Sequence, residues 1–294
     1  MSVSDHLQRF QFLEGAVRGE ICQFDEAYQA VLSRHEYPEA IQYLLGQALA
    51  GVALMAANLK FEGSLILQIQ GDGPMSVLMV ECNHRGELRG IARYDAERMD
   101  EQVDFTWTAL AGVGQVILTL DPEEGERYQG IVALEGETLG AALAGYFAQS
   151  EQLPTYFNLA ADGTHAGGLM LQVLPQVDDQ GDSDLWERAQ GLANTLKPEE
   201  LLGLALQDVL YRLFHEEEVE LYPADDLSFR CTCSRERSGN ALRAIDLEEL
   251  LEIAAEQDGK IEVDCQFCRQ QYVFDEIDLR QLHLPSAGSS ESLQ

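Results

Sequence analysis

Cys231-Thr-Cys233 and Cys265-Gln-Phe-Cys268 are the two stretches that decide how this chain is read. They take four of its six cysteines, in two tight pairs separated by Ser234 to Asp264. Zn²⁺ takes four soft ligands in a tetrahedron, and two short pairs joined by a folded insert supply them. The second pair has the ordinary C-x-x-C spacing. The first is a narrower C-x-C bite, and the insert is longer than in common zinc ribbons. The alternative is a set of unrelated buried thiols, and the double pairing speaks against it. The sequence therefore predicts one Zn²⁺ per chain on Cys231, Cys233, Cys265 and Cys268. A C-x-x-C pair alone also serves dithiol redox chemistry, so a redox role stays open. Arg230, Arg235, Arg237 and Arg269 flank the pairs and can offset the negative charge of four thiolates.

Around the cysteines a small module runs from about Phe229 to Leu284. Asp246 with Glu249 makes a helix-capping pair, and Gly259 is a helix stop. Ile261–Val263 and Gln271–Phe274 read as a hairpin around the Cys265–Cys268 knuckle. Upstream, Leu185 to His215 reads as two helices, the second opening at Pro198-Glu-Glu. Leu202, Leu206, Val209 and Leu213 form its apolar face at helical spacing. It ends in Glu216-Glu217-Glu218, three negative charges at the negative end of a helix dipole. From Asp178 to Arg230 fourteen acids stand against four bases, a net of −10.

Further out, residues up to about Pro175 read as one α/β domain. Pro38 opens a long apolar helix to about Leu59, interrupted by Gln42, Gln47 and Asn58, so a buried helix is expected rather than a membrane span. Residues 63–70 alternate with period two, as a strand does. Gly71 to Pro74 is a turn. Strands are expected at residues 18–24, 75–81, 88–94, 115–120, 131–134 and 169–174, and a helix at 136–150. The segment after Ser286 is polar and read as a disordered tail.

With 294 residues and 46% hydrophobic content, there is ample material for two domains. The net charge of −32 argues against nucleic acid, whose binding rests on basic contacts. No basic-then-apolar leader opens the sequence, and the unpaired Cys22 and Cys82 suit a reducing cytoplasm. Both read as small core residues. Other motifs fail. His215-Glu216 lacks a second histidine at Val219, Gly112-Val-Gly114 lacks a third glycine at Ile117, and Gly71-Asp-Gly73 has no following lysine.

Over nearly its whole length the chain resembles one family, the redox-regulated holdase chaperones known as heat-shock protein 33 or 33 kDa chaperonin. The matching stretches include Ala16-Val-Arg-Gly-Glu20, Gln70-Gly-Asp-Gly-Pro74, Gly125-Glu-Arg-Tyr-Gln-Gly130, Ser150-Glu-Gln-Leu-Pro-Thr155, His215-Glu-Glu-Glu-Val219 and Cys231-Thr-Cys-Ser-Arg-Glu-Arg237. Some members carry a further cysteine after the C-x-C run; here the run continues Arg237-Ser238-Gly239. The resemblance implies an α+β protein: an N-terminal α/β core with mixed sheet and packed helices, a helical linker, and a small zinc-binding α+β module. The expected divisions are 1–177 for a core that binds clients and dimerises, 178–230 for the linker, 231–285 for the switch and 286–294 for the tail. It further implies that oxidation forms the disulfides Cys231–Cys233 and Cys265–Cys268 and expels zinc. That change would turn on ATP-independent binding of unfolded or partly folded proteins, with dimerisation, and without an enzymatic reaction, nucleic acid or membrane. Two rivals remain. One is a thiol–disulfide oxidoreductase using Cys265–Cys268, the other a zinc-ribbon adaptor whose zinc is purely structural.

Overall fold

The computed structural model describes residues 5–101, 106–175 and 184–284. The start of the expected linker and the expected tail lie outside these residues. The chain divides into two compact units, one ending at Arg230 and the other beginning at Cys231.

The first unit opens with β1 (His6–Phe12) and β2 (Val17–Phe24), an antiparallel pair with Phe10 opposite Gly19. A Cβ on Gly19 would lie 2.2 Å from the Phe10 ring, so the ring lies over the next strand only because glycine is there. Next come α1 (Glu26–Leu32), capped by Asp25, and α2 (Glu39–Ala56), entered through Pro38. By length and composition α2 could cross a membrane. Instead, most of its residues are buried inside the fold, as expected of a helix apolar on nearly every side.

The chain continues through β3 (Gly63–Gly71), β4 (Met75–Asn83), β5 (Glu87–Tyr94), α3 (Ala96–Asp100), α4 (Trp107–Ala111), β6 (Gly114–Pro122) and β7 (Tyr128–Ala133). These strands form an antiparallel run in the order β5-β4-β3-β6-β7. After α5 (Leu139–Tyr146) and a π-helical turn at Phe147–Glu151, β8 (Thr155–Ala161) and β9 (Ala166–Val173) complete a sheet ordered β1-β2-β9-β8. The core thus holds two sheets, a partition that period-two patterning does not encode. α2 lies in the core they share, where Cys22 and Phe24 of the first sheet join Leu65, Leu67 and Val80 of the second.

The other face of the first sheet is covered by α6 (Leu185–Ala193), α7 (Pro198–Gly203) and α8 (Leu206–Phe214). Because β2 and β9 are covered on both faces, both parities are apolar. Ile21, Leu169 and Leu171 face these helices, while Cys22 and Met170 join the α2 core. The single helix expected from Pro198 is two. Leu204 and Ala205 are extended, because Gln23 Nε2 of β2 donates to the carbonyls of Leu201 and Leu204 and draws the chain out of the helix. The expected apolar face survives the break. Leu202, Val209 and Leu213 are buried against the sheet and Leu206 is half-buried beside them.

A strap follows: β10 (Val219–Leu221) and β11 (Asp225–Asp226) pair with β1, and β12 (Ser228–Phe229) pairs in parallel with β5, which makes the second sheet mixed. β1, β8 and α1 were not read from the sequence, and the helix expected over 136–150 is divided between α5 and the π-helical turn.

The second unit contains α9 (Arg235–Leu242), α10 (Leu247–Glu256), the hairpin β13 (Lys260–Asp264) and β14 (Gln271–Asp275), and α11 (Glu276–Leu282). Asp246 caps α10 through the Glu248 N–H, and Gly259, at φ +79°, lets the chain leave it. Its core is Leu242, Leu250, Ala254, Ile261, Phe274 and Leu279. So small a core is marginal without a metal or cross-link.

Candidate metal centre

Cys231 and Cys233 lie in irregular chain just before α9, whose N-cap, Ser234, accepts from the Arg237 N–H. Arg237 Nη1 donates to the Thr232 carbonyl at 3.1 Å and hydroxyl at 2.7 Å, fixing the residue between the two thiols. Cys265 and Cys268 sit on the turn joining β13 and β14. The Cys265 N–H donates to Gln270 O at 2.9 Å and the Arg269 N–H donates to Cys265 O at 2.8 Å. Arg269 takes φ +61° to close this knuckle, a conformation that is strained for a residue with a Cβ.

The four sulfurs lie within 4.8 Å of one another. The pairs interleave: Cys231 Sγ is 3.6 Å from Cys265 Sγ and Cys233 Sγ is 3.4 Å from Cys268 Sγ. Among the described residues this is the one cluster of three or more possible ligands with such spacing. All four thiols are half-buried.

Burial works to raise the Cys233 thiol, but hydrogen bonds from the Tyr272 hydroxyl and the other three thiols outweigh it and bring it below its ordinary range. Burial, assisted by its thiol neighbours, pushes Cys268 up to about 12 and also raises Cys231. Four sulfurs this close do not all ionise on their own. A bound dication reverses that balance, because a coordinating thiol is deprotonated outright. Soft ligands, their number and their mutual distance thus fit Zn²⁺.

Tyr272 is a participant that the sequence reading missed. Its hydroxyl donates to Cys233 Sγ at 3.2 Å, and only the β13–β14 register, with Val263 opposite Tyr272, brings it there. The flanking arginines act differently from the expectation. Arg230 pairs with Glu87 at 2.6 Å, Arg235 with Asp278 at 2.6 Å, and Arg237 holds Thr232. These three brace the local chain rather than simply offsetting sulfur charge. Cys22 and Cys82 are buried in the core and burial raises both thiols, which leaves them inert.

In the covering helices, the carboxylates near the end of α8 are not all unfavourable. Arg188 of α6 donates to Glu217 at 2.5 and 3.1 Å, and the side chain of Glu217 is 7% exposed. Arg212 of α8 pairs with Glu200 of α7 at 2.9 Å.

The family model described as Hsp33 protein matches residues 5–275. The 33 kDa chaperonin of Serratia proteamaculans is 46% identical, with all of both chains covered. That of Pseudomonas syringae pv. syringae is 48% identical over 98% of this chain and 96% of its own. The crystal structure of the 33 kDa chaperonin from Thermotoga maritima has a TM-score of 0.79 at 26% identity, covering 95% of this chain and 98% of that one. A match of this extent, over a fold that brings the four C-terminal cysteines together, places the chain in the Hsp33 chaperone family.

Proposed function

We propose that the chain is a redox-regulated, ATP-independent holdase, silent while Cys231, Cys233, Cys265 and Cys268 hold Zn²⁺ and active once they are oxidised. The observation that carries this reading is the interleaved cluster of four half-buried sulfurs in a unit with a small core. Bound there, Zn²⁺ supplies folding free energy on the order of 10 kcal/mol. Within each pair, two thiolates, one hydrogen peroxide and two protons give one disulfide and two waters. The products are Cys231–Cys233 and Cys265–Cys268, and neither disulfide retains a thiolate ligand. Without its ligands the module 231–285 loses its fold.

The segment 178–230 is the part that responds. Its described helices cover the apolar face of the first sheet, and the chain runs from them through the strap directly into Cys231. Releasing them uncovers Leu202, Leu206, Val209 and Leu213 together with Phe10, Phe12 and Ile21 beneath. These surfaces hold unfolded or partly folded clients in a reducing cytoplasm, and the active form is a homodimer. Neither an enzymatic turnover nor nucleic acid nor a membrane has a part in this scheme.

The test compares reduced, zinc-loaded protein with peroxide-treated protein, mildly warmed, in suppressing aggregation of a chemically unfolded client without ATP. The oxidised form suppresses scattering and the reduced form does not. Equal protection by both forms contradicts the regulation, and none by either contradicts the chaperone reading. Catalytic turnover of disulfide substrates would favour the oxidoreductase.

A further inference from the structure

We propose that oxidation also frees the outer edge of β1, and that this edge takes an extended apolar segment of an unfolded polypeptide as an added antiparallel strand. The proposal rests on the switch described above and goes further by naming the binding surface and its chemistry.

On one side β1 pairs with β2. On the other, among the described residues, it is closed only by β10 and β11, which are three and two residues long. The closing bonds are main-chain ones: Leu13 N–H to Glu218 O at 2.9 Å, Tyr222 N–H to Arg9 O at 3.0 Å and Leu227 N–H to Asp5 O at 2.8 Å. By antiparallel parity, Gln11, which lies opposite Glu220, also turns its main-chain groups outward. The side chains add less, although Gln8 Nε2 donates to the Tyr222 carbonyl, the Tyr222 hydroxyl donates to Gln11 Oε1 at 3.1 Å, and Val219 packs beside the covering helices. Leu221 and Tyr222 are exposed, and the His6–Asp226 and Arg9–Asp225 pairs are at the surface, where such pairs are weak.

Along β10 the strap is thus held largely by bonds that an extended chain can replace, whereas beyond β11 it is anchored by Leu227, which is buried in the α2 core. The strap shares a continuous run with α8, and a single residue, Arg230, separates its last strand from Cys231. The edge it leaves is bordered by Phe10 and Phe12, whose rings now pack against Phe214 of α8. An incoming strand would find main-chain donors and acceptors at every second residue and an aromatic floor for its own alternate side chains. Main-chain pairing gives affinity without sequence preference, which suits a protein that meets many clients. β7 is also paired on one side only among the described residues, but it is open in the resting fold and so offers no gating.

Hydrogen exchange of the full-length protein, resolved amide by amide, tests this in three states: reduced, oxidised, and oxidised with a chemically unfolded, cysteine-free protein. The Gln11 and Leu13 amides should be protected in the first, exchange about tenfold or more faster in the second, and recover protection in the third. The Phe10 amide, turned toward β2, should stay protected throughout. Protection of Gln11 and Leu13 that persists on oxidation, or that does not return with client bound, overturns the proposal, as does new protection confined to β7. Aggregation of the same client measured alongside separates this failure from failure of the holdase reading.

Discussion

Tyr272 and Cys265 bear on the metal centre in different ways. Tyr272 donates to one sulfur and is no ligand, so Tyr272→Phe should leave zinc content unchanged. Cys265 supplies a quarter of the ligand set, and Cys265→Ser should lose zinc from the reduced protein, read by metal analysis. Unchanged zinc in that variant would remove the assignment. In the core, Glu20 is a different kind of liability. Its Oε1 accepts from Asn58 Nδ2 at 2.7 Å, its Oε2 has no hydrogen-bond partner, and Arg18 Nε stands 3.9 Å away. Burial is the largest influence and raises its carboxyl to about 7, against the lowering effects of Asn58, Arg18 and Arg9. The folded-state value lies above the unfolded one. Its stabilising contribution is therefore complete below about pH 4.5 and is lost as pH rises through about 7. Glu20→Gln should accordingly stabilise the protein by about 2–3 kcal/mol at pH 8.5 and hardly at all at pH 4. Denaturant melts at the two pH values measure this, and an equal effect at both would contradict it.

Among the elements, α6, α7 and α8 show both what the sequence discloses and what it withholds. The apolar stripe was legible because Leu202 of α7 and Leu206, Val209 and Leu213 of α8 join one cluster on the sheet despite the break between the helices. The break itself was not, because it depends on Gln23, distant in sequence on β2. The same holds for Glu217. Read locally, it is one of three acids at a helix C-terminus; in the fold it meets Arg188 from α6. The three acids should therefore behave unequally. Arg188→Ala should weaken the packing of the helices by about 1.5–3 kcal/mol, since it strands a nearly buried carboxylate. It should also lower the oxidant dose needed for activation. Glu216→Gln should strengthen packing by about 0.3–1 kcal/mol through relief of the charge–dipole contact. Denaturant melts of both variants, with peroxide titrations of holdase activity, check the two directions; shifts of the same sign would refute this reading. At the cysteines the ligand types and spacing were legible from the start, whereas Tyr272 became visible only through the hairpin register.

For the whole molecule, the two units differ sharply in what holds them. The first has two sheets and a buried central helix, while the second has a six-residue core among the described residues. A chelator applied to the reduced protein should therefore unfold the second unit first and leave α2 intact, as loss of helical signal followed by circular dichroism. The central claim is that loss of the four-thiolate site releases α6, α7 and α8 from the first sheet. Hydrogen exchange across residues 185–214, before and after peroxide oxidation, reads it most directly, with α2 as the internal reference. The account predicts that 185–214 lose protection while Glu39–Ala56 keep theirs. Equal protection of 185–214 in the two states would contradict it.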